Sequence, residues 1–354
     1  MSTGRSTAVP SGSVGPSTAT DPEAPSTETD DVIARFDDVQ GHFATRSGDL
    51  HALRGVTFPI RRGAITGLVG ETGSGKSVVA RLLLGMSDDN FQLDGGRVLV
   101  DGTDVLQLPN RERRALRGRT VSMVFQDAKS ALNPVFSVGE QLSRPLRERN
   151  RAGRRDAWAA AVDLLERVRI PEPERRAHQY AHQFSGGMAQ RAMIALGLVQ
   201  TPDLVVLDEP TTGLDVTIQA EVLDLIRELG ATNQTTALLI THDLGVVAET
   251  CDHVAVMYAG RCVEYGSVQE IFDDPAHPYT RELLRACRSV ELDEGELISI
   301  PGVVPDLRRP PVGCAFAERC PDRLEVCDRE PPTIGIGGDR TVICHRSADR
   351  GGPR

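Results

Sequence analysis

The stretch Ala64-Ile65-Thr66-Gly67-Leu68-Val69-Gly70-Glu71-Thr72-Gly73-Ser74-Gly75-Lys76-Ser77 decides the fold of this chain. Its first half is an apolar run of strand length. Its second half fits the pattern G-x-x-x-x-G-K-[ST], in which glycines let backbone N–H groups converge on phosphate oxygens at a helix N-terminus. Ser77 to Leu84 then reads as a helix. Strand, glycine loop and helix follow in the order a phosphate-binding loop requires. Lys76 is placed to reach β- and γ-phosphates, and the Ser77 hydroxyl to bind Mg²⁺. Lysine usage supports the reading: the 40 basic residues include two lysines, Lys76 and Lys129, and every other one is Arg. Lysine is thus kept where a compact point charge fits and a planar fork does not.

Working outward, residues from Val32 to about Asp101 read as short strands with turn signals, among them Arg97-Val98-Leu99-Val100 before the pair Asp101-Gly102. From about Asp127 to Leu198 the chain reads as an inserted helical lobe, clearest at Ala157 to Leu165. Beyond it come a short apolar strand, Leu204 to Leu207, a helix from Thr217 to Leu229 stopped by Gly230, and a second buried strand, Thr236 to Ile240. Strand, helix, strand implies a parallel α/β sheet. Past about Ala286 the chain turns rich in Pro, Arg and Cys, which marks a boundary. The expected layout is a disordered tail over residues 1–31, a nucleotide-binding domain over 32–285 and a C-terminal extension over 286–354. No internal repeat is visible.

Bulk properties narrow the class. A chain of 354 residues is long enough for one large core with appendages. The formal net charge of -10 and the absence of a basic footprint disfavour nucleic acid as a ligand. No apolar run approaches the roughly 20 residues that cross a bilayer, since Val78 to Met86 is interrupted by Arg81. The first 31 residues lack the apolar centre of a secretory signal. The cytosol is the expected compartment, so the seven cysteines are expected as thiols or metal ligands.

Two further constellations carry chemistry. Leu204-Val205-Val206-Leu207-Asp208-Glu209 is an apolar strand ending in two carboxylates. Downstream of a phosphate loop, Asp208 suits Mg²⁺ and Glu209 suits polarising an attacking water, because phoshoryl transfer needs a positioned nucleophile. Phe184-Ser185-Gly186-Gly187-Met188 reads as an N-capping Ser and two glycines opening a helix, whose free N–H groups favour anions.

Taken together, the phosphate loop, Gln126 in Val124-Phe125-Gln126-Asp127, Ser185-Gly186-Gly187, Asp208-Glu209, the Gly213-Leu214-Asp215 turn and His242 in Ile240-Thr241-His242-Asp243 stand in an order that resembles the ABC transporter ATPases. The resemblance implies a P-loop NTPase fold of the ABC type. In such a fold a parallel-sheet core carries an N-terminal antiparallel β subdomain, an inserted helical subdomain and, here, a cysteine-bearing extension. It implies that two ATPase domains close head to tail, with Ser185, Gly186 and Gly187 of one chain meeting the γ-phosphate held by the other. It further implies that Gln126 senses Mg²⁺ and the membrane subunits, that His242 contacts the γ-phosphate and that Asp215 lines the seam. An adenine-stacking aromatic is expected upstream of the loop; Phe43 is the candidate, a core position being the other reading. Two departures are present: Met188 where Gln is usual, and Gly213 where Ala is common.

Met188, Ser130-Ala131-Leu132-Asn133-Pro134, His277-Pro278-Tyr279-Thr280 and Gly302-Val303-Val304-Pro305 with the cysteines beyond it resemble the dipeptide and oligopeptide permease ATPases, specifically their D-type subunit. This implies peptide import driven by ATP. The implied partners are a second, related ATPase, two membrane permease subunits and an extracytoplasmic solute-binding protein, with the chain peripheral on the cytoplasmic face of the membrane. Nickel import is a second reading, and a non-transport ABC ATPase of DNA repair or translation a third. Cys314, Cys320, Cys327 and Cys344 are spaced C-x5-C-x6-C-x16-C. Four thiolates suffice for a [4Fe–4S] cluster or a tetrahedral Zn²⁺, and the spacing names neither metal. The resemblance implies the iron–sulfur cluster; unligated thiols are the other reading. His345 reads as a substitute ligand or a solvated surface residue.

Overall fold

The computed structural model describes residues 31–150, 153–233, 236–291 and 299–350, so all of the expected disordered tail except Asp31 lies outside the described residues. Its strands are β1 (Val32–Thr45), β2 (Gly48–Arg61), β3 (Ile65–Val69), β4 (Phe91–Val100), β5 (Thr103–Asp104), β6 (Val121–Val124), β7 (Leu204–Asp208), β8 (Thr236–Ile240), β9 (His253–Tyr258), β10 (Arg261–Ser267), β11 (Thr333–Gly337) and β12 (Arg340–Ile343). They form a four-stranded sheet, β2-β1-β4-β5, and an eight-stranded sheet, β11-β12-β10-β9-β3-β8-β7-β6. The small sheet is antiparallel throughout. Its Asp101-Gly102 turn has φ of 48° and 73°, the left-handed pair that a two-residue hairpin loop needs.

In the large sheet, β9, β3, β8, β7 and β6 run parallel, while β10, β12 and β11 extend it antiparallel. The apolar run of β7 shows why the parallel strands carry no polar alternation. Leu204 and Val206 pack with β1, β2 and the helix Lys76–Leu83 on one face. Val205 and Leu207 pack with the helical lobe on the other. A strand covered on both faces must be apolar at every position.

The lobe between β6 and β7 holds the helices Ala128–Ala131, Val138–Asn150, Arg154–Arg167, Pro173–Ala177 and Gly186–Leu198. Ala157, Ala161, Leu164 and Leu165 lie at helical spacing and are the buried stripe of Arg154–Arg167. The helix after β7 runs Val216–Asn233, past Gly230 rather than stopping there. A glycine inside a helix costs about 1 kcal/mol relative to Ala, too little to end a helix whose Val222, Leu223, Leu225 and Ile226 are buried.

The segment beyond residue 299 returns to the main sheet. At the junction Glu264, fully buried in β10, accepts hydrogen bonds from the backbone N–H groups of Ala276 (2.8 Å) and His277 (2.9 Å) and from Arg340 of β12 (3.0 Å). Three donors, one of them charged, compensate the burial of this carboxylate. The compositional boundary near Ala286 falls inside the helix Pro278–Glu291.

Candidate functional site

Four adjacent parallel strands, β3, β8, β7 and β6, end on the same edge of the sheet, where an open α/β sheet offers a ligand crevice. β3 leads into Gly70, β7 into Glu209, β8 into Thr241 and His242, and β6 into Phe125 and Gln126. Chain connectivity alone therefore assembles residues spread over nearly half the sequence.

The loop itself requires glycine. Gly70, Gly73 and Gly75 have φ of 147°, 80° and 105°. A Cβ on Gly70 would stand 2.1 Å from the Met257 carbonyl oxygen, and one on Gly75 2.8 Å from that of Ala52. The Lys76 ammonium is folded back onto the loop and donates to the carbonyls of Gly70 (2.7 Å) and Glu71 (3.0 Å) and to Ser74 Oγ (3.4 Å). Burial holds its pKa below the usual lysine value, against the attraction of Glu209 and Asp208.

A cleft of ≈ 670 Å³ lies on the helical lobe beside Asn133 and Arg144, but the chemistry gathers in another, of ≈ 640 Å³. Phe43, Thr72, Gly73, Gly75, Lys76, Ser77, Gln126, Asp208, Glu209 and His242 line it. Glu209 is its hub. One carboxylate oxygen accepts from Gln126 Nε2 (2.7 Å) and Thr212 Oγ1 (2.8 Å), and the other meets His242 Nδ1 at 3.2 Å. Glu209 has φ of 47°, a strained setting for a residue with a side chain, held by its backbone N–H donating to Ile240. Asp208 is held above the usual carboxylate range by burial and by the neighbouring Glu209. Ser77, Gln126 and Asp208 supply oxygen donors of the kind a hard divalent cation takes, and Lys76 brings a positive charge to the same cleft.

Phe43 lies at the mouth of the cleft with Leu50 and Ala52, edge-on to Phe91 with ring centroids 5.2 Å apart. Gly70, Glu71 and Ser74 belong to the loop but do not line the cleft; Ser74 is buried and Glu71 is turned away. Nor do Ser185, Gly186, Gly187 or Asp215 line it. Ser185 caps the helix Gly186–Leu198 by accepting from Met188 N (3.2 Å), and Asp215 accepts from Ile218 N (3.0 Å) at the head of the following helix. Sequence reading missed Thr212, whose hydroxyl holds Glu209; it stands three residues beyond the Asp-Glu pair without a pattern of its own. It also missed the contacts of Glu71 with Tyr279 and Arg319, although His277-Pro278-Tyr279-Thr280 was visible as a motif.

The four C-terminal cysteines form no disulfide. Cys314 N donates to the Cys327 carbonyl (2.9 Å), and Cys327 and Cys344 both help to raise the Cys314 pKa, behind the larger effect of burial. They are thus neighbours, but among the described residues no group of three or more His, Cys, Asp or Glu side chains is set to hold a metal ion. The His345 ring instead meets the Arg329 carbonyl at 3.1 Å.

Comparison with known proteins agrees with this geometry. Residues 53–212 match the family model described as ABC transporter, and residues 263–327 the model described as oligopeptide/dipeptide transporter, C-terminal region. The chain is 42% identical over 318 residues to the oligopeptide transport ATP-binding protein OppD of Salmonella typhimurium, covering 90% of this chain and 95% of that one. It is 45% identical over 304 residues to the dipeptide transport ATP-binding protein DppD of Bacillus subtilis, covering 85% and 91%. Among solved structures, cbiO1 of Clostridium perfringens, part of an ABC transporter complex, superposes with a TM-score of 0.60 at 27% identity, over 75% of this chain and 96% of that one. A dimeric ATP-binding cassette in a post-hydrolysis state with ADP and phosphate superposes with a TM-score of 0.61 at 23% identity, over 67% and 99%, a likeness of fold.

Proposed function

The chain belongs to the family of oligopeptide and dipeptide transport ATP-binding proteins, and from that premise we propose that it hydrolyses ATP to drive peptide import, using the cleft at the C-terminal edge of β3, β8, β7 and β6. The observation that carries this is the convergence of Lys76, Ser77, Gln126, Asp208, Glu209 and His242 on one cleft.

Each residue has a role its position supports. The loop amides from Gly70 to Ser77 cradle the phosphates, and Lys76, seated against the Gly70 and Glu71 carbonyls, reaches the β- and γ-phosphates. Ser77, Asp208 and Gln126 would hold Mg²⁺, whose charge would offset that of the phosphates. Glu209 polarises the attacking water, with Gln126 and His242 fixing its orientation, and His242 contacts the γ-phosphate. Phe43 packs on the adenine. Ser185, Gly186, Gly187 and Asp215 serve a partner: standing off this chain's own cleft, the helix start at Ser185 supplies the lid for a nucleotide held by a second ATPase.

The ATPase works beside membrane permease subunits. We place it peripherally on their cytoplasmic face with a related but distinct ATPase and an extracytoplasmic solute-binding protein. Among the described residues no helix is long and apolar enough to cross a membrane. The oligopeptide and dipeptide names of the relatives favour peptide over nickel cargo and over a role in DNA repair or translation. In the reconstituted complex, ATP turnover is expected to rise severalfold with peptide and peptide-loaded solute-binding protein. Stimulation by Ni²⁺ and not by peptide would overturn the cargo assignment.

The finer reading of the extension is that Cys314, Cys320, Cys327 and Cys344 close around an iron–sulfur cluster. Its support is chemical: four thiols, none in a disulfide, in one small segment, the other three all within electrostatic reach of Cys314. Such a group would be held by thiolates, and no step of ATP hydrolysis is assigned to it. Protein purified without oxygen is expected to be brown and to contain iron; a colourless, iron-free preparation counts against the cluster.

A further inference from the structure

Glu71 occupies a position of the phosphate loop that the pattern leaves open to any residue, yet every polar group it has is committed. Its carbonyl oxygen accepts from Lys76 Nζ (3.0 Å) and from Ser74 N (3.2 Å). Its backbone N–H donates to the hydroxyl of Tyr279 (3.0 Å). Its carboxylate takes both arms of the Arg319 guanidinium, Nη1 to Oε2 at 2.8 Å and Nη2 to Oε1 at 2.9 Å. Both clamping residues come from beyond residue 277, more than 200 positions away in sequence.

The clamp is itself fixed. The Arg319 side chain is 5% exposed, and its remaining donor sites go to the Pro301 carbonyl (2.9 Å), the Ile300 carbonyl (3.2 Å) and the Tyr258 hydroxyl (3.2 Å). Its guanidinium lies 5.7 Å from the Tyr258 ring centroid and 5.8 Å from that of Phe316. Tyr279 is fully buried, packs on Tyr258 and Phe316, and donates its backbone N–H to Nδ1 of the buried His277 (3.0 Å). A bidentate Arg–carboxylate pair with a buried guanidinium fixes direction as well as distance. Here the part it fixes is the loop on which Lys76 rests.

We infer that Arg319 and Tyr279 are positioning residues for the phosphate loop, acting through Glu71, so that the C-terminal extension sets how well this chain grips nucleotide. The inference rests on the reading of Gly70 to Ser77 as the ATP-holding loop. A loop released from the clamp keeps its glycines and its lysine but loses the fixed setting of Glu71, whose N–H Tyr279 holds and whose carbonyl is one of the seats of Lys76. Mispositioning of this kind weakens binding without removing any group that touches the nucleotide.

The test uses the assembled transporter, with ATP turnover for KM and kcat and mant-labelled ATP for binding. Arg319→Ala is expected to raise the KM for ATP about tenfold and Glu71→Gln about fivefold, with kcat at saturating ATP changed less than about threefold. Tyr279→Phe, which keeps the ring packing, is expected to raise KM about threefold, and Arg319→Lys to fall between wild type and Arg319→Ala. Because both partners act on one joint, the Glu71→Gln/Arg319→Ala pair is expected to be no worse than the larger single effect. A role confined to anchoring the extension would instead lower the melting temperature and the active fraction with KM unchanged. KM within twofold of wild type in Glu71→Gln and Tyr279→Phe, or additive effects in the double variant, overturns the inference. Lys76→Ala is the control: if it weakens mant-ATP binding while the clamp variants do not, the clamp alone fails. If Lys76→Ala binds as wild type, the reading of the loop fails with it.

Discussion

Replacing Glu209 by Gln is expected to lower kcat by about two to three orders of magnitude while the dissociation constant for ATP stays within about twofold, the loss associated with removing one preorganised electrostatic group. The geometry explains why the two quantities separate. The oxygen of Glu209 that accepts from Gln126 and Thr212 has an equivalent in the glutamine amide oxygen. The amide nitrogen then faces His242 Nδ1, which accepts in the appropriate tautomer. The substitution keeps volume, backbone setting and the local hydrogen bonds, and removes the negative charge to which we assign the polarising of water. Lys76 and the loop amides are untouched, so the bound ground state survives. Stopped turnover with ATP retained in the site, measured by rapid filtration or mant-ATP titration, is the expected result. A kcat within tenfold of wild type, or loss of binding in step with turnover, would contradict the assignment.

The parts of this site that were legible in the sequence are those where one residue type at one spacing has few physical alternatives. Gly70 and Gly75 are fixed by positive φ and by the carbonyls they approach, and β7 by burial on both faces. What escaped was set by tertiary contact. The burial of Glu264 has no pattern in the sequence and becomes intelligible once Arg340 and the amides of Ala276 and His277 are seen around it. Gly230 reads as a helix stop because the packing that carries the helix past it lies on the preceding turns. The clamp on Glu71 could not be read from spacing, since Arg319 is one of many arginines and its partner stands 248 residues away. The signature glycines show the opposite case: their pattern is clear, but the role proposed for them is toward a nucleotide held by another ATPase, so one chain does not reveal their work.

Lys76→Ala is expected to produce the mirror image of the Glu209 result, a loss of affinity for ATP of roughly one to two orders of magnitude, with turnover at subsaturating ATP falling at least as far. The estimate follows from the worth of a hydrogen bond to a charged group, roughly 1.5–3 kcal/mol, each 1.4 kcal/mol being tenfold. The alternative partners of Lys76 are backbone carbonyls and one hydroxyl, none of them a full charge. The ammonium is buried beside neutral hydrogen-bond partners, and burial depresses its pKa against the attraction of Glu209, Asp208 and Glu71. A phosphate oxygen in the cleft supplies the full negative charge that burial makes it need. Removing Lys76 leaves that phosphate with loop amides alone while Asp208 and Glu209 stay close enough to repel it unless Mg²⁺ intervenes. Lys76→Arg is expected to fail almost as badly, because a planar fork cannot take the place of a point charge tucked within 3.0 Å of both the Gly70 and Glu71 carbonyls. Titration of both variants with mant-ATP and Mg²⁺ checks the pair. If Lys76→Arg binds as wild type, the affinity comes from charge alone and the tight seat on the loop carries no weight.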